Sequence, residues 1–181
     1  MNIPVFLSYS RPYTDHQQEF IDRVREFLAS RGLESRTLGV TDYDMDEPLT
    51  AIRRLMLESN GLLAIAFRRY HIEEGAEKVR GEQGEPKDRL LSDQYFSSAW
   101  CQIEPAMAFQ LGLPILIFRE KGVIADGVLE KGVLGTYLPE FDLTKPIDDY
   151  LKAPEWNQII AEWEGYVRVV RKVKGKPPRL Y

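Results

Sequence analysis

The sequence is poor in the residues that would staple or metallate a fold. One cysteine, Cys101, among 181 residues cannot close an internal disulfide, and two histidines, His16 and His71, are too few for a Cys/His zinc cluster. The longest apolar runs are short ones such as Leu62 to Phe67 and Leu113 to Phe118, where a membrane span needs about 18 residues. Met1-Asn2 leads straight into Ile3-Pro4-Val5-Phe6-Leu7, without the basic stretch, long apolar core and small-residue cleavage site of a secretory signal. A reducing, cytoplasmic setting with no membrane partner is the expectation. Positive charge is also scarce: the formal net charge is −4, and because six bases and no acids follow Tyr166, residues 1–165 carry −4 − 6 = −10. Such a body repels phosphate, and a basic tail with little aromatic interleaving is a weak nucleic-acid signature, better read as a solvated helix end. Motifs are missing too. There is no Gly-rich phosphate loop after the first apolar segment, no G-x-S-x-G elbow, no His-x-x-His and no acidic pair at metal-motif spacing, so dehydrogenase, NTPase and triad-hydrolase readings lose their footing.

What is present is enough apolar residue, 44%, for one ordinary core, and an alternation of strand and helix signals. Ile3 to Ser8 reads as a strand. Thr14 and Gln17 have capping-box spacing for a helix whose Phe20, Ile21, Val24, Phe27 and Leu28 share a face before Gly32. Leu33 to Leu38 can form a brief strand, and Gly39 to Asp46 is an acidic loop. Asp46 is read as the N-cap of a second helix, with Pro48 in its first turn and Leu49, Ile52, Leu55 and Met56 facing inward. The run Leu62 to Phe67 has the texture of a parallel strand buried on both faces. Residues 68–96 differ, with six bases, seven acids and no sustained period; we expect a polar insertion, with room for a short helix. A helix opened by Ser97 or Ser98 runs to about Gln110, with a kink expected at Pro105. Leu113 to Phe118 is the next buried strand, Tyr137 to Leu143 a final edge strand. Trp156, Ile159, Ile160, Trp163, Val167 and Val170 form the stripe of a last helix, and the Lys174 to Pro178 tail cannot be helical.

This order predicts an α/β, flavodoxin-like, doubly wound sheet of four or five mainly parallel strands with helices on both faces. Residues 1–145 form the main domain with the insertion at 68–96, and residues 146–181 add a C-terminal helix and basic tail to the same domain. Ligands of such sheets bind beyond the carboxyl ends of the strands, here the loops at 9–15, 39–47 and 68–97.

One segment in that region stands out. In Ser98-Ala99-Trp100-Cys101-Gln102-Ile103-Glu104 the indole and the glutamate are four residues apart, and so share a helix face. A carboxylate beside an indole can be partly desolvated and held in one direction, which suits it to stabilise a developing cation. From spacing alone the simpler reading is a surface Glu104 with Trp100 in the core, and Cys101 as a small buried hydrophobe.

Val5-Phe6-Leu7-Ser8-Tyr9-Ser10 followed by a capped helix resembles the first strand and box of the TIR domain family, and Ser98-x-Trp100-Cys101-x-x-Glu104 resembles its S-x-W-C-x-x-E segment. The resemblance covers about residues 3–143. The chain departs from the family's R-D-x-x-P-G loop, which is replaced by the acidic 39–48 stretch, and by Pro105, the insertion and the last helix; these departures point to a divergent, prokaryotic-type, stand-alone member. The resemblance implies that Glu104 is the catalytic residue, contacting the ribose of NAD during cleavage of the nicotinamide–ribose bond. It implies further that Tyr9, Ser10 and Arg11 line the nicotinamide end and the phosphates, and that Trp100 walls the pocket. NAD is then a substrate, with no separate cofactor and no metal.

The function so implied is an NAD-consuming enzyme, either a glycohydrolase or an ADP-ribosyl cyclase, in antiviral defence, acting as a homo-oligomer through TIR–TIR contacts with its sensor or effector on another chain. Two other classes stand beside it: a non-catalytic TIR scaffold working by homotypic assembly, and an enzyme like the nucleoside (deoxy)ribosyltransferases. The acidic residues Asp42, Asp44, Asp46 and Glu47 would repel a dinucleotide unless a cation or a partner protomer intervenes.

Overall fold

The computed structural model describes residues 2–134 and 139–172. The tail Lys174 to Pro178, the bases beyond Lys172, and Tyr137 and Leu138 of the expected edge strand lie outside the described residues. The chain runs through β1 (Ile3–Tyr9), α1 (Asp15–Ser30), β2 (Leu33–Arg36), α2 (Pro48–Glu58) and β3 (Leu62–Ala66), then β4 (Tyr70–Arg80) and β5 (Pro86–Phe96). It continues through α3 (Trp100–Gln110), β6 (Ile115–Glu120), a 3-10 turn at Gly127–Leu129, β7 (Glu140–Phe141), α4 (Ile147–Leu151) and α5 (Pro154–Lys172). Five strands form one sheet in the order β2-β1-β3-β6-β7, and each neighbouring pair is parallel. With helices on both faces this is the expected flavodoxin-like α/β fold.

The period of two in the strands divides the core. Val5 and Leu7 of β1, and Leu63, Ile65 and Phe67 in and just after β3, turn toward one face, where they meet Phe20, Ile21, Val24 and Leu28 of α1 and Trp156, Ile160, Trp163 and Val167 of α5. Phe6, Leu62, Ala64 and Ala66 turn to the other, against Ile52, Leu55 and Met56 of α2 and Cys101 and Ala108 of α3. Alanines at two successive positions of β3 leave room for α3, and Cys101 Sγ lies 3.7 Å from the Ile65 carbonyl oxygen.

Local chemistry fixes the element ends. The Thr14 hydroxyl accepts the Gln17 N–H at 3.2 Å, while the Gln17 side chain reaches back one residue further than a capping box requires and accepts the Tyr13 N–H at 3.1 Å. Gly32, at φ +72°, supplies the left-handed turn after α1. At α2 the N-cap is Glu47, not Asp46, and Leu49 is exposed; Ala51 takes its place among the buried residues, because the inward face starts one turn later. Ser98 accepts the Trp100 N–H at 3.1 Å as α3 opens, and Pro105 lies inside that helix, which continues to Gln110.

The insertion contains no helix among its residues. β4 and β5 form a long antiparallel hairpin of their own, with Tyr70 opposite Phe96 and Arg80 opposite Pro86. Its sequence shows no alternation because neither face is buried in the core, so both faces stay polar, tied by Lys78–Asp88 at 2.8 Å and by Arg89–Glu77. At its base, Tyr95 pairs with the 122–124 loop through its N–H to Gly122 O at 3.1 Å and its carbonyl to Ile124 N at 2.8 Å. The final edge strand is only two residues long. α4, which the apolar pattern does not reveal, brings Tyr150 and Leu151 against the aromatic cluster of Phe20, Phe118, Phe141 and Trp156.

α5 depends on a close approach. A Cβ on Gly61 would lie 2.6 Å from Val167 Cγ2 and 3.3 Å from Trp163 Cζ2 and from the Pro114 carbonyl oxygen. Gly61→Ala is therefore expected to destabilise the fold by about 1–3 kcal/mol, the usual cost of overpacking. Urea unfolding checks this, an unchanged midpoint contradicting it.

Candidate active site

At the carboxyl edge of the sheet the chain leaves β1 toward β2 on one side, while β3 pairs on the other, Ser8 opposite Ala64 and Tyr9 opposite Ile65. This is the switch point at which doubly wound sheets open a crevice. Ser8 follows the alternation of β1 toward α3, and its hydroxyl donates to Glu104 Oε2. Glu104 comes from the second turn of α3 and is buried, with 8% exposure, whereas Trp100 is 40% exposed. The simpler reading from spacing is thus inverted: the charged residue is inside and the indole is at the surface. α3 carries no other charge, so the helix can turn Glu104 inward and leave Trp100, Ile103 and Phe109 outside.

Burial pushes the Glu104 carboxyl up to about 7, and the Ser8 hydroxyl bond opposes only part of that rise. Among the described residues no other donor reaches it, so its second oxygen is free for a substrate hydroxyl or a developing positive charge. A neighbouring hydroxyl cluster closes the site. Ser10 Oγ lies 3.3 Å from Ser97 Oγ and 3.7 Å from Cys101 Sγ, which links the β1–α1 loop to the chain that enters α3. Cys101 is buried, and that burial raises its thiol above its ordinary value, so it is a packed side chain and no thiolate nucleophile.

The structure separates the other residues singled out from the sequence. Ser10 joins Glu104's neighbourhood through Cys101 and Ser97. Tyr9 does not: one residue on from Ser8, it turns to the opposite face of the sheet, where its hydroxyl takes a hydrogen bond from Arg25 Nη2 at 2.7 Å and packs beside α1. Arg11 is exposed in the loop after β1, and its carbonyl accepts a bond from Arg69 Nη1 at 3.2 Å. Part of the acidic loop's charge is paired within the chain, which lessens the repulsion its composition suggests. Arg36 binds Asp42 and Glu58, and Arg54 binds Asp44, with Asp46 at 4.0 Å.

Two residues at this edge went unnoticed in the sequence. Ser8 is the one polar side chain in an otherwise apolar strand face, a signal that alternation alone could have revealed. Glu120 ends β6 and is buried, accepting the Arg68 N–H at 2.9 Å and Gln17 Nε2 at 3.1 Å, with the Arg68 guanidinium 3.7 Å away. Burial raises its carboxyl also, and these donors pull it back. The two buried carboxyls differ in what they have left to give. Glu120 is engaged by backbone, amide and guanidinium and ties β6 to α1 and the base of the hairpin; Glu104 has one hydroxyl.

The chain matches no family model and no curated protein. Among solved structures it is similar to the CMP N-glycosidase BcmB of Clostridium botulinum, with 15% identity over 82% of this chain and 94% of that one and a TM-score of 0.48. It is also similar to the TIR domains of the activated Roq1 resistosome that recognises the pathogen effector XopQ, with 12% identity over 94% and 84% of the chains and a TM-score of 0.43. Similarity at this level identifies no family, and the functional argument rests on the site. No described helix is long and apolar enough to cross a membrane.

A raised carboxyl has a stability consequence. Between its ordinary value of 4.5 and about 7 the folded chain keeps a proton on Glu104 that the unfolded chain has lost, so stability falls as pH rises through that window and stays reduced above it. Glu104→Gln, neutral throughout, is expected to stabilise the fold by up to about 3 kcal/mol at pH 8 and far less at pH 5. Urea unfolding at the two pH values measures this; an equal effect at both would contradict it.

Proposed function

We propose that this chain is a TIR-like enzyme that cleaves the nicotinamide–ribose bond of NAD. The observation that carries the reading is Glu104: a buried carboxyl at the switch point of the sheet, with one hydroxyl donor and an oxygen to spare. The chemistry needs little more. Nicotinamide attached to the ribose is already cationic, so when the C1′–N bond breaks, both electrons of that bond go to the nitrogen and it leaves neutral, without a general acid. The positive charge passes to an oxocarbenium-like ribose, which an ionised carboxylate in a dry pocket stabilises far more than water-screened charge would. Water then adds at C1′ and loses a proton, giving ADP-ribose as a glycohydrolase does, or a nitrogen of the adenine ring adds and closes a cyclic product.

The substitution of Ser8 for water as donor supports the same reading, because it fixes the carboxylate's direction before substrate arrives. Trp100, exposed at the start of α3, is proposed as a wall of the nicotinamide end, with Ser10 beside it. Tyr9, on the far face, is left to support the loop from behind. A cytoplasmic enzyme acting in antiviral defence, assembled as a homo-oligomer with a sensor or effector on a separate chain, completes the proposal. The exposed apolar side chains of α3 support self-association as part of it.

The test is nicotinamide release from NAD at low and high protein concentration, with product chromatography, for the wild type and Glu104→Gln. Release by the wild type and a loss of about a hundredfold or more in the variant is expected. Equal turnover by both proteins would overturn the assignment of Glu104, and no turnover by folded wild type at any concentration would overturn the NAD reading in favour of a scaffold. Base exchange between free nucleosides, without nicotinamide release, would establish the transferase alternative. In the active case kcat/KM should rise with pH through about 7, since the ionised carboxylate is the working form; a flat profile from pH 5 to 9 would contradict that role.

A further inference from the structure

Two successive arginines, Arg68 and Arg69, leave β3 for the hairpin, and their side chains are used in opposite ways. Arg68 is engaged on three sides. Its Nε donates to the Lys121 carbonyl at 2.6 Å, its guanidinium stacks 4.7 Å from the Tyr95 ring centre, and Glu120 lies 3.7 Å away. Arg69 is exposed, and the one hydrogen bond of its side chain runs from Nη1 to the carbonyl of Arg11, leaving Nε and Nη2 uncommitted. Among the described residues neither Arg69 nor Arg11 has a carboxylate within ion-pair distance, although the chain is net acidic and most of its other arginines have one.

The backbone holds this open cation beside the candidate site. The Arg69 N–H donates to the Phe96 carbonyl at 2.9 Å, and the next residue, Ser97, reaches Ser10, the residue before Arg11. A closed circuit of contacts, Arg69 to Phe96, Ser97 to Ser10, and Arg11 back to Arg69, thus joins the hairpin base to the loop after β1. The bond to the Arg11 carbonyl fixes the Arg69 guanidinium at the loop after β1 without consuming its charge, so the cation stays available to an anion. The free edge of the Arg69 fork suits the paired oxygens of a phosphate.

We propose that Arg69, supplied by the inserted hairpin and acting with Arg11, is the phosphate-recognising residue of this site, so that the substrate is a phosphorylated nucleotide and not a free nucleoside. The proposal rests on the reading of Glu104 as the cleaving residue for its place in catalysis, but not for the binding itself. Arg69 contacts substrate remote from the bond that breaks, so it acts on binding. The half-buried Arg68 beside it has no such role; it holds the hairpin in place.

Two measurements test it. In the first, NAD and nicotinamide riboside, which has the same scissile bond and no phosphate, are compared as substrates for the wild type, Arg69→Ala and Arg69→Lys. Arg69→Ala is expected to raise KM for NAD about tenfold or more with kcat little changed, to leave kcat/KM for nicotinamide riboside unaltered, and Arg69→Lys to recover part of the loss. Equal losses on both substrates, or no loss on either, would overturn the proposal. The second measurement does not require turnover: titration calorimetry with inorganic pyrophosphate on the wild type, Arg69→Ala and Glu104→Gln. Binding that weakens about tenfold in Arg69→Ala and persists in Glu104→Gln supports the phosphate site even if NAD is never cleaved. Binding that is absent from the wild type at millimolar concentration, or equal in all three proteins, overturns it.

Discussion

A carboxyl group taken out of water and given a single hydroxyl in return is the interaction on which the organisation of this edge of the molecule depends. Burial of Glu104 opposes its ionisation, and the Ser8 hydroxyl bond compensates only in part. The surrounding fold has to sustain that imbalance. It does so with a strand whose alternate residues build an apolar core on each face, and with a helix that carries no competing charge. A native domain holds only about 5–15 kcal/mol in reserve, so a buried carboxyl near neutrality uses an appreciable part of it.

The second carboxyl at the same edge shows what an entirely structural use looks like. Glu120 receives the Arg68 N–H, the Gln17 amide and the approach of a guanidinium, and in return fastens three segments: the end of β6, the first turn of α1 and the departure of the hairpin. One buried carboxyl at this edge is therefore saturated with partners and the other is not. Loops on both sides are held by arginines, Arg36 and Arg54 at the acidic loop after β2 and Arg68 at the hairpin base, so part of the charge that looks repulsive in composition is paired inside the chain.

Most of the sheet was legible from residue patterns because its central strands β1, β3 and β6 are largely buried on both faces and read as apolar runs. The helices α1 and α5 announced themselves through long apolar stripes. The hairpin did not, since alternation is a record of one-sided burial and its strands have none. α4 is too short for a period to develop. At the candidate site, the spacing of Trp100 and Glu104 did not reveal which of the two is buried. A spacing of four places two side chains on one face without saying how far round that face the core extends, and here the boundary falls between them. Tyr9 and Ser10 are adjacent in sequence, yet β1 separates their neighbourhoods, because a strand sends successive side chains to opposite faces.

The hairpin enters and leaves the domain at one place, with Tyr70 paired to Phe96 and the strands of the main sheet untouched by its length. An excursion whose two ends meet can be lengthened, shortened or exchanged without redirecting the chain on either side of it. The scaffold that holds the carboxyl and the arm that stands beside it are consequently separable parts of the fold. One is constrained by the packing of every residue in its core, and the other tolerates changes of length and sequence beyond its root.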